Sequence, residues 1–158
     1  MIGTVVLIVA AWLYGYLNTG TDAAALAGDV LPGATTINRS GELFVGRDAA
    51  GDLVGYAGVG RATGYGGPME VIVGVDLAGN ILGVAMVEER ESPGFFRLVR
   101  NSKLFESFSA SQITDPLQLG EDLDSISGAT MSAEGVANGV RAAIRVIAAD
   151  ALKTPLPP

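Results

Sequence analysis

The chain of 158 residues contains no cysteine and no histidine. Without cysteine, this chain can form no disulfide, offer no thiolate nucleophile and ligate no iron–sulfur cluster. Without histidine, it can hold neither a histidine-ligated haem nor a histidine-ligated zinc ion, and it lacks the usual general base near neutral pH. Any redox chemistry must therefore be carried by a bound organic cofactor. We predict no catalytic residue and no metal site.

Basic residues are also scarce, since 10 Lys and Arg stand against 17 Asp and Glu, for a formal net charge of −7. Nucleic-acid binding rewards clustered positive charge, so this balance argues against nucleic acid as a partner. A hydrolase is disfavoured as well. No nucleophile–base pair can be assembled without cysteine or histidine, and no serine–lysine pair lies in a recognisable motif.

The first segment of the chain is an uncharged and mostly apolar run over residues 2–17, with Trp12, Tyr14 and Tyr16 near its end. A helix of this length spans ~24 Å, close to a ~30 Å hydrocarbon core if it extends to Gly20. We predict a transmembrane anchor over residues 1–20. A signal peptide and a buried core helix remain alternatives. The first basic residue is Arg39, so positive charge does not orient the run in a membrane.

The remainder of the chain divides by composition. We predict a linker over residues 21–41, a folded domain over residues 42–152 and an extended tail over residues 153–158, which contains three of the seven prolines.

Short β-like runs with turn residues between them fill the first half of the folded domain. Residues 43–47 and 53–60 flank a turn with Asp48 and Gly51, and residues 69–75 and 81–88 flank a turn with Asp76 and Gly79. Asp can bond the backbone of its own turn, and Gly tolerates positive φ, so both turns indicate hairpins. The pattern predicts an antiparallel meander of about four strands. Residues 98–108 then fit one amphipathic helix or two short ones.

The glycine-rich stretch over residues 60–68 separates the two hairpins. It is not followed by the Gly-Lys-Ser/Thr of a phosphate-binding loop, and no helix starts there. We interpret it as a tight turn between strands.

The last helical run begins after a polar stretch, Asp124-Ser125-Ile126-Ser127-Gly128-Ala129-Thr130-Met131-Ser132. Helical spacing over residues 133–152 places one apolar face on the core; its members are Val136, Val140, Ala143, Ile144, Ile147 and Ala151. Ser, Thr and Asp ahead of such a run typically form an N-cap. Free N–H groups and the positive end of the dipole also suit a phosphate, and the small Gly128 and Ala129 allow close approach.

The sequence Ser127-Gly128-Ala129-Thr130, with Asp124 before it and Ser132 after it, resembles the flavinylation motif of the FMN-binding domain family. This family includes RnfG-like and NqrC-like subunits of membrane redox complexes. The resemblance implies that a flavin transferase joins the phosphate of FMN to the hydroxyl of Thr130. Asp124 matches the Asp ahead of the family motif, where it either positions this hydroxyl or braces the loop.

A second segment, Glu91-Ser92-Pro93-Gly94, is similar to the Glu-Thr-Pro-Gly-Leu-Gly loop of the same family, which lies along the flavin. Ser92 keeps the hydroxyl of the family threonine, whereas Phe95 and Phe96 replace Leu-Gly. On the residues alone, we expect Ser-Pro-Gly to form a rigid bend at the end of a strand. The resemblance implies a cofactor-binding set of Thr130, Ser127, Gly128, Ala129, Asp124, Glu91, Ser92, Pro93 and Gly94.

We therefore expect an α+β fold, a twisted antiparallel sheet with packed helices, behind one N-terminal transmembrane helix. By resemblance, the chain is an electron-transfer subunit of a membrane redox complex, with its soluble domain in the periplasm or cell exterior. Its partners would be the other subunits and, during maturation, the flavin transferase. A module that binds FMN or another phosphate ligand without a covalent bond, and a structural accessory subunit, remain alternatives.

Overall fold

The computed structural model describes residues 23–89, 93–123 and 126–156. The transmembrane helix predicted over residues 1–20 lies outside them. The elements follow one another in the order α1 (Ala23–Val30), β1 (Thr36–Ser40), β2 (Leu43–Arg47), β3 (Leu53–Thr63), β4 (Pro68–Asp76), β5 (Ile81–Glu89), α2 (Pro93–Arg100), α3 (Leu104–Ser109), α4 (Thr130–Ile147) and a π-helical turn (Ala148–Leu152).

The strands form one five-stranded antiparallel sheet in which each strand pairs with its neighbour in sequence. The predicted α+β class and the predicted meander are confirmed. The number of strands is a correction, because β1 adds a fifth strand to the four that the sequence indicated.

The segment interpreted as a linker, residues 21–41, contains α1 and β1 in its described part. The apolar residues within and just after α1 explain this difference, since Ala27, Val30 and Leu31 are fully buried against the sheet. Ile37 of β1 packs against the same cluster. The segment is therefore part of the fold, and its polar and glycine residues, which suggested a linker, lie on the exposed side of these elements.

Aspartates hold the two predicted hairpin turns. In the β4–β5 turn, Asp76 Oδ1 accepts the N–H groups of Ala78 and Asn80 at 2.8 Å each, and Gly79 adopts a φ of +88°. Burial raises the pKa of the Asp76 carboxyl, but hydrogen bonds from Asn80 and the turn backbone outweigh it and hold this pKa below its usual value. The β2–β3 turn repeats the arrangement with Asp48.

Both faces of the sheet are covered. Alternation along β4 sends Val71 and Val73 to a large cluster with α3 and α4, and sends Ile72 to a smaller cluster with α1. All three side chains are completely buried. The sheet is thus the central layer of the described domain, with α4 on one side and α1 on the other.

Helix α4 crosses β3 at very close range. A Cβ atom added to Gly60 would overlap the carbonyl oxygen of Gly139 and lie 2.5 Å from the backbone nitrogen of Ala143. One added to Gly135 would lie 2.8 Å from Cα of Gly64. Since the N-terminal part of α4 meets the end of β3, the helix runs antiparallel to this strand and begins near the β3–β4 turn.

The remaining helices are short. Residues 98–108 form parts of two helices, α2 and α3, rather than one. The closing helix begins at Thr130, three residues before the predicted start at 133, and changes to π-helical geometry after Ile147. Residues 153–156 form neither helix nor strand. No helix among the described residues combines the length and apolar character needed to cross a membrane.

Candidate cofactor site

The N-terminus of α4 carries the motif that the sequence singled out. The N-cap residue is Ala129, and no described side chain caps the helix. The predicted cap by Ser, Thr or Asp is therefore wrong for the described residues. Instead, the Thr130 hydroxyl donates a hydrogen bond to the carbonyl oxygen of Ile126 at 3.2 Å, and the Ala129 N–H donates to the same oxygen at 3.2 Å.

This arrangement leaves the first turn of α4 open to a ligand. The first intrahelical hydrogen bond of the helix is donated by the N–H of Ala133 to Ala129. The N–H groups of Thr130, Met131 and Ser132 precede it and point out of the helix end, where the positive end of the helix dipole also lies. Such a helix start favours an anion such as a phosphate.

Gly128 lies directly before this turn and has a φ of +82°. L-amino acids rarely adopt this conformation, so the loop requires glycine here. A Cβ atom at this position would have no atom of the described residues within 4 Å. The space beside Gly128 is thus open, as the predicted close approach of a ligand requires.

A pocket of about 340 Å³ opens at the same place. Its described lining consists of Tyr65, Gly128, Ala129, Thr130, Met131 and Ser132. Tyr65 and Met131 are 63% and 65% exposed, so a large apolar surface borders the polar helix end. None of these lining residues is acidic. Backbone donors next to apolar side chains suit a ligand that combines a phosphate with an aromatic ring.

One polar side chain in this lining is buried. Ser132 is only 2% exposed, and its hydroxyl has no hydrogen-bond partner in the described part of the chain. The other buried polar residue, Ser111, is 7% exposed and donates to the carbonyl oxygen of Ser107 at 3.0 Å. Buried hydroxyl groups are normally bonded, so the orphaned Ser132 hydroxyl lacks an acceptor at this position.

The sheet topology brings the end of β5 to the same end of the sheet as the β3–β4 turn. Thr63 pairs with Pro68 across the turn that carries Tyr65, and the next pair along the sheet joins Met69 to Glu89, the last residue of β5. The end of β5 therefore lies beside the turn that lines the pocket. Glu91 and Ser92 of the predicted flavin loop lie outside the described residues.

The predicted site residues fall into three groups. Gly128, Ala129 and Thr130 line the pocket, whereas Ser127 is exposed and is not among the lining residues. Pro93 and Gly94 begin helix α2, so they start a helix where the sequence suggested a rigid bend; Gly94 is not among the residues lining the pocket. Asp124, Glu91 and Ser92 lie outside the described residues.

Three residues that line the pocket were not predicted as site residues: Tyr65, Met131 and Ser132. Tyr65 belongs to the glycine-rich stretch over residues 60–68, which was interpreted as a turn between strands and gives no direct sign of a ligand contact. Ser132 could have been found, because a small polar residue at the third helix position lies next to the free N–H groups. Met131 carries no such signal.

The fold and the pocket together define a small α+β domain with an uncapped helix start beside a pocket. The model of the FMN-binding domain family matches residues 64–145, about half of the chain, including the Tyr65 turn and the N-terminus of α4. The chain belongs to the FMN-binding domain family, and this membership identifies FMN as its cofactor.

Comparison with solved structures supports the fold. The crystal structure of NqrC from Shewanella oneidensis is similar to this chain with a TM-score of 0.53 at 20% sequence identity, over 76% of this chain and 70% of NqrC. At this identity the likeness establishes the fold alone. None of the curated proteins matches the chain.

Proposed function

We propose that the chain is an electron-transfer subunit of a membrane redox complex and carries FMN through a phosphodiester bond to Thr130. The observation that supports this most directly is the position of Thr130. It is the first residue of α4, it is exposed, and it borders a pocket at the helix end where the first-turn N–H groups lie.

The residues present fit the phosphate of FMN. The hydrogen bond from Thr130 to Ile126 uses the hydroxyl proton, so the lone pairs of Oγ1 remain available for bond formation. A phosphodiester retains one negative charge, and the uncapped first turn of α4 would receive it. Bound FMN supplies the redox chemistry that the side chains of this chain lack.

Attachment is a group transfer that Thr130 undergoes once, during maturation. Thr130 Oγ1 would become the ester oxygen on the FMN phosphate. The flavin transferase would supply FMN from a flavin dinucleotide, release the nucleoside monophosphate and take up the hydroxyl proton. Asp124 is proposed to position the hydroxyl or to brace the loop.

The walls of the site are proposed to hold the flavin ring. Tyr65 and Met131 offer exposed apolar surface beside the phosphate position, and aromatic side chains stack favourably on other ring systems. The loop with Glu91 and Ser92 would supply further contacts. A covalently held flavin cannot diffuse away between electron transfers, which suits a relay between partner subunits.

We further propose that residues 1–20 anchor the chain in a membrane as a single pass, with the soluble domain in the periplasm or cell exterior. The apolar run over residues 2–17 supports the anchor. The orientation rests on the resemblance to the RnfG-like and NqrC-like subunits.

Intact-mass measurement tests the attachment. The chain is coexpressed with a flavin transferase as wild type, Thr130→Val and Thr130→Ser. We expect the wild type and Thr130→Ser to gain the mass of one FMN, because both keep a hydroxyl. Thr130→Val should gain nothing, since it keeps the shape of the side chain but removes the oxygen.

Two other outcomes would favour the alternatives. A wild-type chain of unmodified mass whose yellow colour is lost on acid precipitation would indicate a non-covalent flavin-binding module. A colourless, folded chain inside an intact complex would indicate a structural accessory subunit.

A further inference from the structure

We propose that the Ser132 hydroxyl donates a hydrogen bond to the phosphate of FMN and so selects the phosphorylated flavin over the free one. This inference rests on the proposed function only in taking FMN as the ligand; it does not require the covalent bond to Thr130. Ser132 would be a binding residue that acts before attachment and after it.

Burial of an unpaired hydroxyl first motivates this role. Ser132 is 2% exposed and has no partner among the described residues, although a hydroxyl deprived of water and of any acceptor destabilises the folded state. The serine Ser111 is nearly as buried, but it is bonded to Ser107. Ser111 thus has a hydrogen-bond acceptor in the described structure, whereas Ser132 has none.

The direction of the Ser132 side chain indicates where its hydrogen-bond acceptor would lie. Side chains on an α-helix tilt toward its N-terminus, so Ser132 at the third position of α4 extends back toward the helix end. It lines the pocket there together with Thr130. A phosphate oxygen held by the first-turn N–H groups would lie where this hydroxyl can donate to it.

Phosphate recognition follows from this placement. The described lining contains no acidic group that could occupy the hydroxyl, and its backbone groups at the helix end are donors. A ligand without a phosphate leaves the Ser132 hydroxyl unpaired, whereas FMN satisfies it. The Ser132 hydroxyl would therefore contribute to the difference in binding free energy between FMN and a flavin without a phosphate.

The test compares Ser132→Ala with Ser111→Ala in the full chain, made without the transferase so that binding stays reversible. Three quantities are measured for each protein: the melting temperature without flavin, the dissociation constant for FMN and the dissociation constant for riboflavin, which lacks the phosphate. Fluorescence quenching of the flavin gives both constants.

For Ser132→Ala we expect an unchanged or higher melting temperature, because the substitution removes an unsatisfied buried group. The dissociation constant for FMN should rise about 10- to 100-fold, as expected for a hydrogen bond to a charged group. The constant for riboflavin should stay the same. Ser111→Ala should instead lower the melting temperature and leave both constants unchanged.

A lower melting temperature of Ser132→Ala, together with an FMN constant equal to that of the wild type, would assign Ser132 a purely structural role and overturn the proposal. An equal loss for FMN and riboflavin would also overturn it, since the phosphate would not be involved. In both cases the wild type still binds FMN, so the failure is separate from that of the proposed function. A wild-type chain that binds no FMN in the absence of the transferase would also overturn the proposal for Ser132, whereas the proposed attachment to Thr130 is decided separately by the intact mass after coexpression.

Discussion

Thr130 and Ser132 are hydroxyl residues of the same helical turn in opposite environments. Thr130 is exposed and bonded to Ile126, whereas Ser132 is buried and unbonded within the described part of the chain. Residues two positions apart in a helix point to different sides, which accounts for the contrast. The exposed hydroxyl can be reached from solvent, as the proposed attachment requires, and the buried one is the hydroxyl proposed to bind the phosphate.

A substitution at Gly128 tests whether the open space beside this residue is needed for flavin binding, apart from any effect on backbone strain. Replacing it by Val places a branched side chain beside Thr130, in space that is open in the described structure. The φ of +82° adds a strain of about 1–2 kcal/mol. We expect Gly128→Val to lower flavin content more than it lowers the folded fraction, as measured by absorbance per folded chain.

Gly120 provides the matched control for this experiment. It has a φ of +83°, and a Cβ atom there would also have nothing within 4 Å among the described residues. Gly120→Val should therefore lose a similar free energy of unfolding and keep its full flavin content. Equal flavin content in the purified Gly128→Val protein and the wild type would refute the predicted crowding.

At the scale of elements, the position of the site depends on how closely α4 approaches β3. Gly60 and Gly139 form this contact, and their lack of side chains lets the helix lie on the strand. The N-terminus of α4 is consequently held against the β3–β4 turn, where Gly64 meets Gly135. The strand–helix contact therefore brings Tyr65 and Thr130 to the same pocket.

Alanine substitutions test this contact. In Gly60→Ala the new methyl group would overlap backbone atoms of α4, which cannot rotate away as a side chain could. We expect a loss of about 1–3 kcal/mol or more in the free energy of unfolding, measured by urea denaturation. Flavin loading should fall as well, because the helix start shifts relative to the turn.

Gly28 is the control position for Gly60, because alanine at Gly28 should stabilise the fold rather than destabilise it. It lies inside α1, and a Cβ atom there meets no described atom within 4 Å. Gly28→Ala should raise the free energy of unfolding by about 0.5–1 kcal/mol, because alanine restricts the unfolded chain and favours the helix. A stable, fully loaded Gly60→Ala protein would show that the close crossing is not required.

The elements that could be predicted from the sequence are those set by local chemistry. The Asp76 carboxylate and the positive φ of Gly79 fix a hairpin turn locally, so the strands on both sides were found with nearly correct bounds. The helix α1 and the strand β1 were missed, since their burial depends on contact with distant strands.

For the candidate site, too, only the residues carried by a local motif could be predicted from the sequence. Thr130, Gly128 and Ala129 were found because a short motif carries them. Tyr65 comes from a turn more than 60 residues earlier in the chain, and the close packing of α4 on β3, from Gly60 to Gly64, brings it to α4. No periodicity or spacing in the sequence encodes that contact.

At the scale of the whole domain, the sheet separates two apolar clusters that together stabilise the fold. Leu104 of α3 belongs to the cluster with α4, and Leu31 belongs to the cluster with α1. Both are fully buried. Because β4 contributes alternate residues to both clusters, loss of either cluster exposes one face of the central strands. We infer that the described domain unfolds as one cooperative unit.

Leucine-to-alanine substitutions on the two faces test this inference. Leu31→Ala and Leu104→Ala should each lower the free energy of unfolding by about 2–5 kcal/mol, the usual range for a fully buried leucine. Both substitutions should shift the same single unfolding transition in urea, whether unfolding is followed by circular dichroism or by tyrosine fluorescence. Leu77, which is 54% exposed in the β4–β5 turn, is the control, and Leu77→Ala should change stability by less than about 0.5 kcal/mol. If residues 21–41 were a linker, Leu31→Ala would change the free energy of unfolding as little as Leu77→Ala. If the α1 face unfolded independently, a second, separate unfolding transition would appear.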